Sequence, residues 1–555
     1  MNTLAKKLHD RIDYNALAFA FLFSLFLILF EWMMFNVEYG HYIFKFLPTG
    51  NFNFVVFCLA NMIFSFLIFI LVTYLSFVSS WQHKIAYFLI FALAIFYEYG
   101  YQKAYGRFSD ITDLYIASGA TWEQTFAVLQ SYINMLGIIP CLVYLVMLVT
   151  VKNKNGSSGL KSFLAIILLF VSFYSSVYYF YPKFFNPYTF PTISYGSFSR
   201  TSAGYFWARL FDKKQKREAI KQPALSDSYQ PNNNIVLIVD ESVRGDHLSL
   251  NGYSKQTTPY LEELAKQSLL QNWGIAVSGS TCSIASHNML ITGFKTDELP
   301  DQERKIWTRP SVFQFAKAMR YKTYYLDGQR SQFWGGIGND LSYIDVWLNA
   351  TNFQGKDYWE TDFLIAKKVN EIINSSTGNF IFVFKHGVHA PFKLSFPNDA
   401  TTWSPSISGA EFVTNEDKAA FSNGFDNALK FNLDSFFKTL AADYKNLPNN
   451  TVILYTSDHG QTLSENGERF SHCGDTRNEA IVPLFIFGNL GANVDTKYKA
   501  SHANILATLL DLMNYAESLR KYNYAKSLLK ATEKDSSERH FFTPNLISGR
   551  RIKFD

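Results

Sequence analysis

The first 181 residues hold five apolar stretches, each near the length that spans a bilayer. A helix crosses the hydrocarbon core with about 20 apolar residues, so a multi-pass membrane part is the strongest constraint on this chain. The stretches run Ala16–Phe35, Phe54–Phe77, Ile85–Tyr99, Ile133–Val151 and Leu160–Tyr181, the third being the shortest. The first is too long for a signal peptide's apolar core and lacks a small-residue cleavage site, so it is expected to be retained. Lys6, Lys7, Arg11, Lys84, Lys152, Lys154 and Lys161 fall on one side of these spans, against Lys45, Lys103 and Arg107 on the other. The positive-inside bias puts the N-terminus in the cytoplasm. Five spans then leave the C-terminal half outside, which in a Gram-negative cell is the periplasm.

At 555 residues the chain is too long for one ordinary core. Three parts are expected: a membrane domain over 1–181, an interfacial linker over 182–231, and an outer domain over 232–555. Aromatic and charged residues each make up 17% of the chain, and mean hydropathy is −0.02, so only part of it sits in lipid. A net charge of +5 suits a solvated surface with membrane anchors and gives no reason to expect a nucleic-acid partner. The linker carries Pro182, Pro187 and Pro191, then Phe206–Phe211 and a basic run over Lys213–Arg217. That order suits an amphipathic helix on the membrane surface or, equally, a solvated charge run.

From 232 onward short apolar runs alternate with helical segments. Strands are predicted at Ile235–Val239, Thr323–Leu326, Phe380–Phe384, Val452–Tyr455 and Leu484–Phe487. Helices are predicted at Pro259–Leu269, Ser311–Met319, Leu364–Ile373, Asn427–Leu440 and His502–Met513. Such alternation implies a largely parallel sheet covered on both faces. Polar residues gather where these strands end. Asp240-Glu241-Ser242 follows the first run, and Ser457-Asp458-His459-Gly460 ends a later one. Between them, Gly279-Ser280-Thr281-Cys282-Ser283 opens a helix. Carboxylates and a histidine at strand ends are where an α/β sheet builds a site. That mixture suits a divalent metal, and a helix N-terminus suits an anion.

Asp240 through Tyr253, followed by Thr257-Thr258-Pro259, resembles the opening motif of the phosphoethanolamine transferases. These are membrane members of the alkaline phosphatase and sulfatase superfamily. Ser457–Gly460, Glu465-Asn466-Gly467, His472 and Ser501–Leu510 resemble the family's later blocks in the same order. The resemblance implies a five-helix transmembrane bundle joined to an α/β sulfatase/alkaline-phosphatase-like domain. It also implies a zinc site built from Glu241, Asp458 and His459, with the nucleophile oxygen as fourth ligand. One zinc ion is expected. Asp240 stands where the family usually has glycine, while the sulfatase branch has a second acid. It is either an extra ligand, with a second zinc ion in prospect, or a carboxylate turned away, since neighbouring strand residues face opposite sides.

Counting back from Leu290-Ile291-Thr292-Gly293 puts Ser283 at the family's nucleophile position, with Thr281 and Cys282 as neighbouring alternatives. Cys282 lacks the proline and arginine of the sulfatase conversion motif. His287 follows Ser283 by one helical turn, either as a catalytic residue that contacts the transferring phosphate or protonates a leaving oxygen, or as a packed helix residue. His389, before Ala390-Pro391, and His472 resemble family histidines that hold phosphate or a second zinc. Glu123, in the outer loop over 100–132, is a candidate contact for a donor ammonium. Cys282 and Cys473 are the only cysteines of the soluble half; a bridge between them is open in an oxidising compartment, and the spacing does not fix it. The function implied is transfer of phosphoethanolamine from phosphatidylethanolamine to lipid A or another envelope glycan, at the bacterial inner membrane. A glycerol-phosphate transferase, a sulfatase-like hydrolase and an inactive scaffold or sensor are the rivals.

Overall fold

The computed structural model describes residues 13–35, 52–105, 108–109, 134–151, 163, 167, 194–198, 201–202 and 205 of the first half. From 216 to 555 it describes all but 302, 330–334, 408–416, 441–449, 464, 466–471, 489, 491–492, 544–545 and 547–548. The chain divides into two compact units, Met1–Ser118 with Phe126–Asp212, and Gly119–Thr125 with Lys213–Asp555.

The first unit contains helices α1 (Tyr14–Phe35), α2 (Phe52–Val78), α3 (Trp81–Tyr105) and α4 (Ile138–Thr150). Asp13 starts α1 by accepting from the Asn15 and Ala16 N–H groups, both at 3.1 Å. Helices α1 and α3 are long and apolar enough to cross a bilayer. Helix α3 is longer than Ile85–Tyr99 because polar residues at both its ends find partners. Lys84, for instance, donates from Nζ to Leu148 O and Val151 O at the end of α4, 2.8 Å each. The fifth stretch lies outside the described residues except for Phe163 and Ile167, as do Glu123 and most of the linker. Among the described residues, two acids are wholly buried in this unit. Glu31 accepts from Tyr99 OH at 3.2 Å and from Ser194 N, and Glu98 accepts from Ser109 N and Oγ at 2.8 and 2.7 Å. Among the described residues, the exposed large apolar side chains all belong to this unit except Leu341 and Leu364. A surface of that kind is costly in water and ordinary in lipid.

The second unit is built on a seven-stranded sheet of order β2-β7-β6-β1-β5-β3-β4. The strands are β1 (Asn234–Asp240), β2 (Leu270–Val277), β3 (Lys322–Asp327), β4 (Val346–Leu348), β5 (Asn379–Phe384), β6 (Thr451–Ser457) and β7 (Ile481–Gly488). Every residue of β1 is buried because both faces are covered. Ile235, Leu237 and Val239 pack with α6 (Ser283–Thr292), α7 (Val312–Ala318) and α11 (Ala503–Leu512). Val236 and Ile238 pack with α5 (Pro259–Lys266), α8 (Tyr358–Ser375), α9 (Lys418–Ala428) and α10 (Ser435–Leu440).

The sheet is mixed. β1, β3, β4, β5 and β6 are parallel, but β7 runs antiparallel to both β6 and β2. Reversed twice, β2 points the same way as β6. The chain following β1, β2, β3, β5 and β6 therefore emerges at one edge of the sheet. A small antiparallel pair, β8 (His540–Thr543) with β9 (Arg550–Lys553), completes the unit.

Candidate active site

Glu241, Asp458 and His459 meet at that edge, all three buried, with one ligand atom from each lying within 4.8 Å of the others. Glu241 follows β1, and Asp458-His459 follows β6, the strand beside it. Local backbone strain helps present Glu241. Ser242 sits in the left-handed region at φ 61°, unusual for a residue with a Cβ. It donates from Oγ to Glu241 Oε1 at 2.8 Å and from its N–H to Asp458 Oδ1 at 3.1 Å, so one strained residue holds both carboxylates. Gln329, just past β3, donates from Nε2 to Glu241 Oε2 at 3.0 Å. Ser278 and Ser286 both donate to Asp458 O, at 2.9 and 2.5 Å.

The imidazole of His459 has a defined tautomer. Its Nδ1–H donates to Gly460 O at 2.7 Å, leaving the Nε2 lone pair toward Glu241 Oε1 and Asp458 Oδ2, each 3.4 Å away. The charges are poorly matched without a cation. Burial, with the Glu241 charge adding to it, pushes Asp458 well above the carboxylate range. Burial opposes ionisation of Glu241 too, but His459, His389 and His472 outweigh it and bring that carboxyl down to about 2. Two buried carboxylates and an unprotonated imidazole nitrogen, so closely grouped, suit zinc with a fourth position open.

Ser283 is the first residue of α6, and its Oγ lies 3.0 Å from His459 Nε2. The opening turn of a helix has N–H groups with no intrahelical acceptor, so an anion beside Ser283 meets donors as well as the positive end of the helix dipole. Thr281 points elsewhere, donating from Oγ1 to Gly474 O at 2.8 Å and contacting Thr543 Oγ1 at 2.9 Å. Cys282 is bonded to Cys473. Of the three neighbours, Ser283 alone carries its side chain to the acid–histidine group.

His287 is buried one turn along α6, edge-on to Phe384 with ring centroids 4.1 Å apart. Its Nε2 is 3.9 Å from Asp458 Oδ2. His472 stacks on His459 with centroids 4.7 Å apart, and His389 lies 6.1 Å from His472. The three imidazoles form a row beside Glu241, two of them half-buried. Asp240 is not part of the metal group. Its Oδ2 accepts from Lys385 Nζ at 2.6 Å and from Tyr455 OH at 2.8 Å, because the strand alternation turns it away from Glu241. His386 stacks on Tyr358 with ring centroids 4.1 Å apart.

Sequence reasoning missed Gln329 and the roles of Ser242 and Ser286. Ser286 carried the one available signal, a hydroxyl three residues past Ser283 on a buried helix. His502 was seen only as part of a sequence block. It accepts from Gly279 N at 3.2 Å and meets Thr456 Oγ1 at 3.2 Å, bracing the turn that leads into α6.

The sulfatase family's sequence model matches residues 233–515, just over half of the chain. Kdo(2)-lipid A phosphoethanolamine 7''-transferase of Escherichia coli K12 is 21% identical over 56% of this chain and 57% of its own length. The chain spans about half the length of the curated relatives it matches, and these include other phosphoethanolamine transferases. Among solved structures, the integral membrane lipooligosaccharide phosphoethanolamine transferase A of Neisseria meningitidis superposes with a TM-score of 0.61 at 18% identity, over 90% of this chain and 97% of that one. The zinc complex of the C-terminal periplasmic domain of EptC from Escherichia coli gives a TM-score of 0.50 at 20% identity, over 62% of this chain and 97% of that one. At such identities the likeness concerns the fold.

Proposed function

Since the chain belongs to the sulfatase family, we propose on that premise that it moves phosphoethanolamine from phosphatidylethanolamine to an envelope acceptor such as lipid A. The observation that carries this is the placement of Ser283 Oγ against His459 Nε2 at a helix start, beside two buried carboxylates. Relatives that are phosphoethanolamine transferases, and exposed large apolar side chains that among the described residues lie almost wholly in the first unit, support a lipid donor. In this reading residues 1–181 cross the inner membrane five times, and the catalytic domain stands in the periplasm beside its donor.

Glu241, Asp458 and His459 would hold zinc, which when bound favours an ionised oxygen and offsets charge on a transferring phosphoryl group. Ser283 attacks the donor phosphorus. The Oγ–P bond forms as the bond to the diacylglycerol oxygen breaks; the Ser283 hydroxyl proton passes to a flanking imidazole, and the diacylglycerol oxygen takes up a proton. The acceptor hydroxyl then repeats the displacement, releasing Ser283 and giving up its own proton. The N–H groups opening α6 receive the phosphate oxygens, and His389 and His472 flank them and exchange protons with the leaving and entering oxygens. His287, packed against Phe384, supports Asp458 from behind. Glu123 is assigned to the donor's ammonium. A converted-cysteine sulfatase mechanism has no nucleophile here, because Cys282 is in a disulfide.

The test is intact-mass analysis of the full-length protein in detergent, incubated with phosphatidylethanolamine or with phosphatidylglycerol. A phosphoethanolamine adduct on Ser283, with release of diacylglycerol, is expected from the first lipid only. A glycerol-phosphate adduct from the second would reassign the donor. Absence of any adduct in zinc-loaded protein would overturn the proposal.

A further inference from the structure

Asp240 and Lys385 follow the last paired rung of β1 and β5, where Val239 faces Phe384 and Lys385 N donates to Val239 O at 3.1 Å. Both side chains are fully buried, with Nζ 2.6 Å from Oδ2. Lys385 is the one lysine buried in the second unit among the described residues. Its Nζ also donates to Asn432 O at 3.1 Å and lies 4.2 Å from the centre of the Phe436 ring. Burying an ion pair generally yields little net stability, because desolvation cancels most of the attraction. A fully desolvated pair beside two further buried acids, Glu241 and Asp362, therefore points to a role other than holding the fold.

The pair joins two parts of the site. On one side, Asp240 Oδ1 accepts from Glu241 N at 3.0 Å, at the base of a metal-binding side chain. On the other, Lys385 begins the turn that leads to His389. Asp362 accepts from His386 N and Gly387 N at 2.9 and 3.0 Å, and Val388 N donates to Glu241 O at 3.2 Å. Gln329 spans both parts, donating from Nε2 to Lys385 O at 2.8 Å and to Glu241 Oε2. Gly387 has φ 59°, and a Cβ there would collide with Asp240 Oδ1, so the turn's backbone rests directly on the Asp240 carboxylate. We propose that Lys385 and Asp240 are positioning residues, a buried clamp that fixes the separation between Glu241 and His389. This rests on the preceding reading, in which Glu241 holds zinc and His389 flanks the transferring phosphate.

The test compares Asp240→Asn, Lys385→Met and the double variant in the full-length protein. Three quantities are measured: thermal stability, zinc affinity by competition with a chelator, and kcat and KM for transfer. Each single variant strands one buried charge and is expected to lose stability. The double variant removes both charges and should regain it. The clamp predicts that the double variant, though stable, still binds zinc about 10- to 100-fold more weakly, the range seen when partners of metal ligands are removed. It also predicts a lowered kcat with KM near wild type, and a Lys385→Met defect that Asp240→Asn does not rescue. A double variant with wild-type zinc affinity and kcat would overturn the proposal and leave the pair as mutual neutralisation only. Zinc affinity decides the matter even if no transfer is found, so failure of the transferase reading would be seen separately.

Discussion

Ser283 Oγ and His459 Nε2 lie 3.0 Å apart although 176 positions separate them in sequence. One residue opens a helix behind β2, the other closes β6, and the intervening strand β7 is what lets both point to the same edge. Ser283→Ala should abolish the covalent adduct and lower transfer by at least about 1,000-fold, as loss of a nucleophile does. Thr281→Ala should retain the adduct. Peptide mapping decides, and an adduct on Thr281 would show that the hydroxyl now bonded to Gly474 O turns inward during turnover.

Chelation should destabilise the second unit as well as stop its chemistry. Without a cation, Glu241 and Asp458 sit buried and close together, one held down and the other forced up. A ligand bound only by the folded state adds about 2.7 kcal/mol when present at 100 times its dissociation constant. Zinc should therefore raise the melting temperature in a concentration-dependent way, and Asp458→Ala should remove that dependence. A melting temperature indifferent to zinc in the wild type would count against the metal assignment.

Acid should weaken the fold partly through His502. Burial holds this imidazole down to about 3, whereas an unfolded chain takes up the proton near the ordinary value of 6.5. The contribution is thus fully present above about pH 6.5 and is lost as pH falls toward 3, at up to about 1.4 kcal/mol per pH unit. His502→Gln should flatten this part of the stability curve. It should also lower stability at neutral pH, since Gly279 N and Thr456 Oγ1 lose their partner. Urea unfolding across pH 4–7 measures both effects, and an unchanged slope would rule His502 out as the titrating group.

Residues 213–555 expressed alone should be soluble and folded, because the exposed large apolar side chains of the described residues lie almost wholly in the other unit. The fragment should still cleave small water-soluble phosphodiesters but turn over vesicle-bound donor far more slowly than the full chain. In the proposed function the first unit raises the local donor concentration and supplies no nucleophile. Equal lipid turnover by fragment and full chain would contradict this division of labour.

Much of the fold was legible because β1, β5 and β6 are short apolar runs buried on both faces, a pattern few other structures produce. The sheet is largely parallel as expected, and in strand direction only the reversal of β7 escaped, because nothing in Ile481–Gly488 distinguishes an antiparallel strand from a parallel one. β2 escaped notice because Gly274, at φ 69°, interrupts its alternation within a bulge. Helix α3 was read short because its polar ends look like loop until Lys84 meets the end of α4. At the site, Glu241, Asp458 and His459 stood out as acids and imidazole after strands. Lys385 did not, since its partner lies 145 positions away and neither residue alone suggests an ion pair.

The Cys282–Cys473 bond spans 191 positions, and the chain between its ends includes β3, β4, β5 and β6. During synthesis the segment beside Ser283 is therefore complete long before its partner leaves the ribosome. The bond has to wait, and when it closes it ties the start of α6 to the residue next to His472. It records the extent of synthesis: a molecule carrying it has already made the residues that include Asp458 and His459. The order of the residues alone thus ensures that the bond cannot close until the whole segment carrying Asp458 and His459 has been made.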